Sequence, residues 1–507
     1  MMKDTPILPG SWLGLMGGGQ LGRMFAQAAA TMGYRVCVLE PDKNAPAAIV
    51  AEKHICAPYT DEAALTELAS LCKTVTTEFE NVPAAALEFL ASKGVETCPA
   101  ANAVCITQDR FDEKSFIKSA GAPVAPHLLI ESDEDLKKAS APYFPAILKT
   151  ARLGYDGKGQ ITVNDRRELA MAFEKLGKVR CVLEKRLPLF KEVSVIAARN
   201  SKGEVAVFPV SENYHRNGIL AVSVMPARLD EEITNRAREI ASKIIEKLDY
   251  VGVLCTELFV LSDGRLVVNE LAPRPHNSGH ATIDACICSQ YEQQVRAMAN
   301  LPLGDTTQVS KSVMLNLLGD LWFDENENVR EPDWSQVLDI PSLKLHLYGK
   351  KQPRHARKMG HITCLAATEE EAMFKAQAAG LDLVKIAPQA KPPVCKIIDY
   401  GKYRYELARK EKEAKKKQKT IDVKEVRLSP NIDTNDLNTK AGAARKFLTK
   451  GDRVKVTLRF RGREMAHMSS SKHVLDDFAD MLKDIAVVEK APKVEGRSMT
   501  MFLAQKH

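Results

Sequence analysis

The chain has 507 residues, 45% hydrophobic and 27% charged, which is enough apolar content for three or four packed domains and too much for a disordered chain. No run reaches the ~18 apolar residues of a membrane span, and eleven cysteines without paired C-x-x-C spacing read as reduced thiols in a cytoplasmic protein, so membrane and disulfide-scaffold classes are excluded. The net charge of +7 is uneven: residues 391–507 hold 28 Lys+Arg against 16 Asp+Glu, a net of +12, which leaves 44 against 49, or −5, upstream. A mildly acidic body with a basic C-terminal module argues for two functions, the second directed at nucleic acid.

In chain order, residues 11–105 alternate apolar strands such as Val36–Leu39 with helices such as Phe25–Met32, as in a small doubly wound α/β domain. Gly17, Gly19 and Gly22 form a G-x-G-x-x-G after the first strand, and Glu40 ends the next strand. That dinucleotide fingerprint supports an alternative reading as an NAD-dependent oxidoreductase. Further on, Pro145-Ala146-Ile147-Leu148 ends in Lys149, just before a loop with glycines at 154, 157 and 159. Such a loop lets backbone N–H groups approach an oligophosphate while Lys149 and Lys158 supply countercharge; by itself it equally describes a Gly-rich hairpin turn. The stretches Thr256–Val260 and Val267–Leu271, separated by Ser262-Asp263-Gly264, read as a hairpin that brings Glu257 and Glu270 together with Asn269 beside them. Paired carboxylates repel unless a cation sits between them, and hard oxygen ligands suit magnesium arriving with ATP.

The ordered series Gly17–Met24, Glu78–Pro83, Gln108-Asp109-Arg110, residues 154–160, Asn213–Leu220, Asn269–His280 and Lys358–Ile362 resembles the 5-(carboxyamino)imidazole ribonucleotide synthase family of the ATP-grasp superfamily, over about residues 10–370. The resemblance implies an N-terminal doubly wound domain (1–105), an ATP-grasp domain of two α+β lobes (106–300) and a small C-terminal ligase domain (301–367). It implies that ATP and bicarbonate carboxylate 5-aminoimidazole ribonucleotide, with magnesium and through carboxyphosphate, in a homodimer. By analogy, Arg110 and Lys149 contact phosphates, while Gly154, Tyr155, Asp156, Gly157, Lys158, Gly159 and Gln160 form a lid. Glu184, Lys185, Arg186 and Leu187 meet adenine, Glu192 holds ribose, and His215 lies near the transferred phosphate. Asn269 lies beside the metal carboxylates Glu257 and Glu270. Candidate ribonucleotide contacts are Gly19, Gln20, Leu21, Glu78, Tyr155, Arg274, His276, Lys350, Arg357 and Lys358. The catalytic set is Lys149, Tyr155, His215, Arg274 and His276.

The basic half carries a second resemblance. Lys391–Tyr403, Lys415-Lys416-Lys417-Gln418-Lys419 and Val456–His467 are similar to bacterial translation initiation factor 3 from about residue 368 onward. This implies a truncated N-terminal remnant and basic linker (368–420) and a compact α/β plait (421–507) that binds the small ribosomal subunit. Its elements are expected at Ile421–Leu428, Thr434–Lys450, Arg453–Phe460, Ser471–Met481, Val487-Val488 and Met499–Leu503. Arg427, Lys446, Arg459, Arg461, Arg463 and Arg497 are the candidate RNA-contacting residues, expected on one face. A helix from Thr368 to Ala379 fits either parent, so the seam lies within it. Both a functional gene fusion and an assembly artefact with one working half would leave such a seam.

Overall fold

The computed structural model describes residues 5–152, 159–324, 326–368, 370–372, 383–387, 394–397, 423–461, 465 and 468–506. They fall into two compact units, residues 1–399 and 400–507.

The first unit opens with β1 (Trp12–Met16), α1 (Gln20–Thr31), β2 (Arg35–Leu39), β3 (Lys53–Ile55), β4 (Thr74–Thr77) and β5 (Glu96–Thr97), in a parallel sheet ordered β3-β2-β1-β4-β5. Parallel strands bury both faces, which is why Leu13, Leu15 and Met16 on β1 and Val36 to Leu39 on β2 are all inaccessible. The helix α1 begins at Gln20, five residues before the expected Phe25. Met24, Phe25, Ala26 and Ala29 form its buried face, and the Gly-rich turn leads directly into its N-terminus.

A second sheet is antiparallel: β6 (His127–Ile130), β7 (Ala146–Thr150), β8 (Gln160–Val163) and β9 (Cys181–Lys185), in the order β6-β9-β7-β8. The pairing of Lys149 with Gln160 brackets the Gly-rich segment. A third, nine-stranded sheet comprises β10 (Leu189–Arg199), β11 (Val205–Val207), β12 (Ser211–Arg216), β13 (Ile219–Met225), β14 (Gly252–Leu261), β15 (Leu266–Ala272), β16 (Lys311–Leu318), β17 (Leu343–Leu347) and β18 (Lys358–Ala366). The expected hairpin is present as β14 and β15, with Ser262-Asp263-Gly264 in its turn. Buried aliphatic residues of β10, β14 and β15 pack on Ala237, Ile240, Ala241 and Ile244 of the helix Glu231–Lys247, whose apolar residues recur at helical spacing. Segment 301–367 adds β16, β17 and β18 to this same sheet, because β16 pairs antiparallel with β13. Residues 383–387 (β19) and 394–397 (β20) form a short antiparallel pair.

The second unit alternates β21 (Val423–Leu428), the helix Thr434–Thr449, β22 (Arg453–Arg459), the helix Lys472–Asp480, β23 (Ala486–Glu495) and β24 (Ser498–Gln505). Its sheet is ordered β21-β22-β24-β23. Val426, Leu428, Val456, Leu458, Met501 and Leu503 meet Ala444, Leu448, Leu475 and Phe478 of the helices in one core. The last hairpin is longer than expected, since the exposed residues 487–495 pair through backbone bonds and show no apolar alternation.

Candidate active site and nucleic-acid surface

The first unit contains a cavity of about 1010 Å3, lined by the second and third sheets, the start of α1 and the loop after β4. Lys149, next to last in β7, carries its largely buried ammonium to the cavity, where Nζ lies 3.1 Å from Glu184 Oε2 on neighbouring β9. Burial lowers the Lys149 pKa. Lys114, almost wholly buried in the helix Arg110–Ser119, shares that oxygen at 3.3 Å and donates to Asn269 O at 3.0 Å. These two lysines, with Arg110 beyond them, outweigh the cost of burying the Glu184 carboxylate and lower its pKa, while its Oε1 has no hydrogen-bond partner.

Glu257 and Glu270 are cross-strand partners at a β-bulge, as the hairpin requires. Each has its own counter-group in this structure. Glu270 Oε2 lies 2.7 Å from Arg110 Nη1, and although burial opposes its charge, Arg110, Lys149 and Lys114 bring its carboxyl down to about 2. Glu257 Oε1 accepts from His276 Nε2 at 3.0 Å. Cys255 Sγ lies in the same cluster, but burial pushes its thiol well above its usual range, so it is a packing group. The buried Oδ1 of Asn269, the residue before Glu270 at the bulge, lacks a partner, so two carboxylates and an amide oxygen supply hard donors of the kind magnesium takes.

His215 Nδ1 lies 2.6 Å from Glu192, which outweighs burial and raises the imidazole pKa. Arg274 pairs with Glu80, and that pairing lowers the Glu80 pKa against the opposing effect of burial. At the other end, the Gly19 amide donates to Glu78, whose carboxyl burial raises to about 7. Lys350 Nζ donates to Gln20 Oε1 at 2.5 Å and to Lys358 O at 2.6 Å, and burial lowers it to about 8. Glu40 is bonded to the Gly18 amide at 2.7 Å and the Tyr59 hydroxyl at 2.6 Å, so the acid that an NAD reading would set on ribose instead braces the turn.

Of the expected site residues, Gln20, Leu21, Glu78, Arg110, Lys149, Gln160, Glu184, Lys185, Arg186, Leu187, Glu192, His215, Glu257, Asn269, Glu270, Arg274, His276 and Lys358 line this one cavity. Gly19 and Lys350 are one bond behind its wall. Arg357 departs from expectation: it donates to Gln352 O at 2.7 Å and is not among the lining residues. Gly159 sits at φ +72 beside Thr150. Gly154, Tyr155, Asp156, Gly157 and Lys158 lie outside the described residues. Sequence reasoning missed Lys114, Glu113 and the partnership of Glu80 with Arg274. The only signal was a helix with adjacent charged residues, Glu113 and Lys114, on its buried side.

In the second unit, register places Glu425, Lys455, Phe502 and Lys490 in one row across the helix-free face, and Arg427, Thr457, Thr500 and Lys493 in the next. Arg459 follows at the end of β22. Arg427 is bound to Glu425 at 2.8 Å. Lys446 is exposed on the helix Thr434–Thr449, whose other side, Ala441, Ala444 and Leu448, packs on the sheet. It therefore lies on the opposite side from Arg427 and Arg459, which corrects the expectation of a single face. Arg461 and Arg497 are exposed at the strand ends, and Arg463 lies outside the described residues.

The parallel sheet followed by two α+β lobes around this cavity defines an ATP-grasp ligase. Family models agree: ribonucleotide synthetase preATP-grasp domain over residues 11–108, ATP-grasp domain over 115–291 and phosphoribosylaminoimidazole carboxylase C-terminal domain over 312–375. The chain is 47% identical over 365 residues to the N5-carboxyaminoimidazole ribonucleotide synthase of Brucella melitensis, covering 71% of this chain and 98% of that protein. With the Bacillus subtilis synthase it is 42% identical over 372 residues, covering 73% and 95%. The Staphylococcus aureus synthetase complexed with ADP superimposes with a TM-score of 0.68 at 39% identity, over 75% of this chain and 99% of that one. An Aspergillus clavatus synthase in complex with ADP and 5-aminoimidazole ribonucleotide gives 0.65 at 31%, over 75% and 98%. The chain belongs to the N5-carboxyaminoimidazole ribonucleotide synthase family. It continues into a translation initiation factor module, since the IF-3 N-terminal and C-terminal domain models match residues 365–414 and 421–506. The first of these overlaps the carboxylase model between 365 and 375, where the seam is expected.

Proposed function

We propose that the cavity of the first unit carries out ATP-dependent carboxylation of 5-aminoimidazole ribonucleotide with bicarbonate. The observation that carries this reading is the convergence in one cavity of a cation cluster (Arg110, Lys149), an oxygen donor set (Glu257, Asn269, Glu270) and the N-terminus of α1. ATP lies with its adenine toward Glu184 to Leu187, where the unpartnered Glu184 Oε1 accepts from the exocyclic amine, and its ribose on Glu192. Glu257 and Glu270 would hold magnesium, which would neutralise charge on the phosphates. Lys149, Arg110 and His215 stabilise charge on the transferred phosphoryl group as bicarbonate oxygen attacks and ADP departs. The ribonucleotide amine then takes the carboxyl carbon of carboxyphosphate, expelling phosphate. Arg274, Lys350 and Lys358 hold the ribonucleotide, and burial in the cavity keeps water from the mixed anhydride.

The second unit binds the small ribosomal subunit through its basic residues, and the whole chain works in the cytoplasm. A homodimer through the ligase unit belongs to the same reading, and sedimentation tests it. The central test is phosphate release by the full chain. It should require both the ribonucleotide and bicarbonate, and Glu270→Gln, which keeps shape but removes a metal charge and the Arg110 partner, should lower turnover by at least about 1000-fold, several kcal/mol of transition-state stabilisation. Wild-type turnover in that variant removes Glu270 from the site.

A further inference from the structure

Ser194 on β10, Asn213 on β12 and Ser223 on β13 are polar side chains buried on three adjacent strands, and none is among the residues lining the cavity. Buried hydroxyls and amides are costly unless paired, and here they pair in a line. Ser223 Oγ is 2.8 Å from Asn213 Oδ1, Asn213 Nδ2 is 2.9 Å from Ser194 Oγ, Ser194 Oγ is 2.7 Å from Ser278 Oγ, and Ser278 Oγ is 2.8 Å from His276 Nδ1. The direction of this line is set at its far end. The Ser278 backbone N–H points at His276 Nδ1 at 3.3 Å, and a backbone amide can only donate. Nδ1 is therefore an acceptor, and the proton of the neutral ring sits on Nε2, 3.0 Å from Glu257 Oε1. With Nδ1 accepting, every member is paired when Ser223 donates to Asn213, Asn213 to Ser194, Ser194 to Ser278 and Ser278 to the ring.

We infer that Ser194, Asn213 and Ser223 are positioning residues of the ligase reaction: they hold the Ser278 hydroxyl against His276 Nδ1 and thereby fix the orientation of the ring toward the Glu257 carboxylate. The inference rests on His276 and Glu257 being site residues, as proposed above. Partners that orient a site histidine from one remove are worth roughly 10- to 100-fold in activity. Sequence reasoning could not see this line, because Ser194, Asn213, Ser223 and Ser278 are far apart in the chain and each alone is an ordinary strand or loop residue.

The test is the full chain labelled with 15N-histidine. The His276 ring, identified by the signals that disappear in His276→Gln, should show an unprotonated Nδ1 and a protonated Nε2. Ser194→Ala should leave that tautomer, which the Ser278 amide sets, and lower ribonucleotide-dependent kcat roughly 10- to 100-fold by letting the Ser278 hydroxyl and the ring turn away from Glu257. The KM for ATP should stay within about twofold, since no member of the line meets the nucleotide. Asn213→Asp, of the same shape but unable to donate to Ser194, should behave alike and serves if the serine variant does not fold. Ser194→Thr, which keeps the hydroxyl, should recover most of the turnover. A wild-type proton on Nδ1, or an unchanged kcat in the folded variants, overturns the inference. Absence of turnover in the wild type would instead defeat the ligase reading and leave the tautomer measurement standing.

Discussion

Glu78 shows how one residue ties stability to the site. Its carboxylate accepts the Gly19 amide, yet burial outweighs that bond and raises the carboxyl from 4.5 to about 7. A raised folded-state value means that the native protein holds this proton more tightly than the unfolded chain. The stabilisation is complete below pH 4.5 and is lost as pH rises through 7, by about 3 kcal/mol in all. Glu78→Gln keeps an acceptor for Gly19 but carries no charge at any pH. The unfolding midpoint of the first unit in this variant should match wild type near pH 5 and exceed it at pH 8; equal midpoints at pH 8 would show that Glu78 ionises without cost. The same change should weaken ribonucleotide binding while sparing ATP, because Glu78 lies by the N-terminus of α1 and away from Lys149 and Glu184.

At the scale of elements, the turn between β1 and α1 works because Gly19 has no side chain: a Cβ there would sit 2.1 Å from Glu78 Oε1. Gly19→Ala must push Glu78 out of place, and the helix N-terminus then loses its close approach to an anion. We expect the KM for the ribonucleotide to rise about tenfold or more with the KM for ATP within twofold; a rise confined to ATP would reassign this turn to the nucleotide. How much of such elements the sequence discloses depends on range. The β14–β15 hairpin is legible because alternation and Ser262-Asp263-Gly264 are local, and so are the strands and helices of the second unit. The start of α1 is not, because Gly22 and Arg23 interrupt the apolar pattern. Pairings such as Arg110 with Glu270, or Lys114 with Glu184, join distant residues through tertiary packing, and only the family resemblance places Glu184 near ATP at all. Counter-groups for Glu257 and Glu270 are equally hidden: His276 and Arg110 pair with them from elsewhere in the chain.

For the whole molecule, the charge asymmetry has a structural counterpart: the acidic body contains the ligase cavity, and the basic module carries Arg427, Lys455, Arg459, Lys490 and Lys493 on the sheet face away from its helices. Lys455 and Lys490 lie within 5.9 and 5.3 Å of the Phe502 ring, so this face joins cations to an aromatic surface in the manner that suits RNA. Lys446 is on the other side of the module, which makes the two faces separable by experiment. If the sheet face meets ribosomal RNA, Arg459→Ala together with Lys455→Ala should weaken binding of the small subunit and flatten its salt dependence by about one unit for each phosphate no longer neutralised. Arg427→Ala should do less, because Glu425 already neutralises that guanidinium. Lys446→Ala should leave both affinity and slope unchanged. A titration of residues 421–507 and of the full chain against small subunits, between low and high salt, distinguishes the outcomes. Weaker binding by Lys446→Ala, with none of that effect in the Arg459/Lys455 pair, would move the interface to the helices. Equal binding by all variants would leave the basic charge as a solvated surface, and the second function of this chain would then have to rest on groups other than these cations.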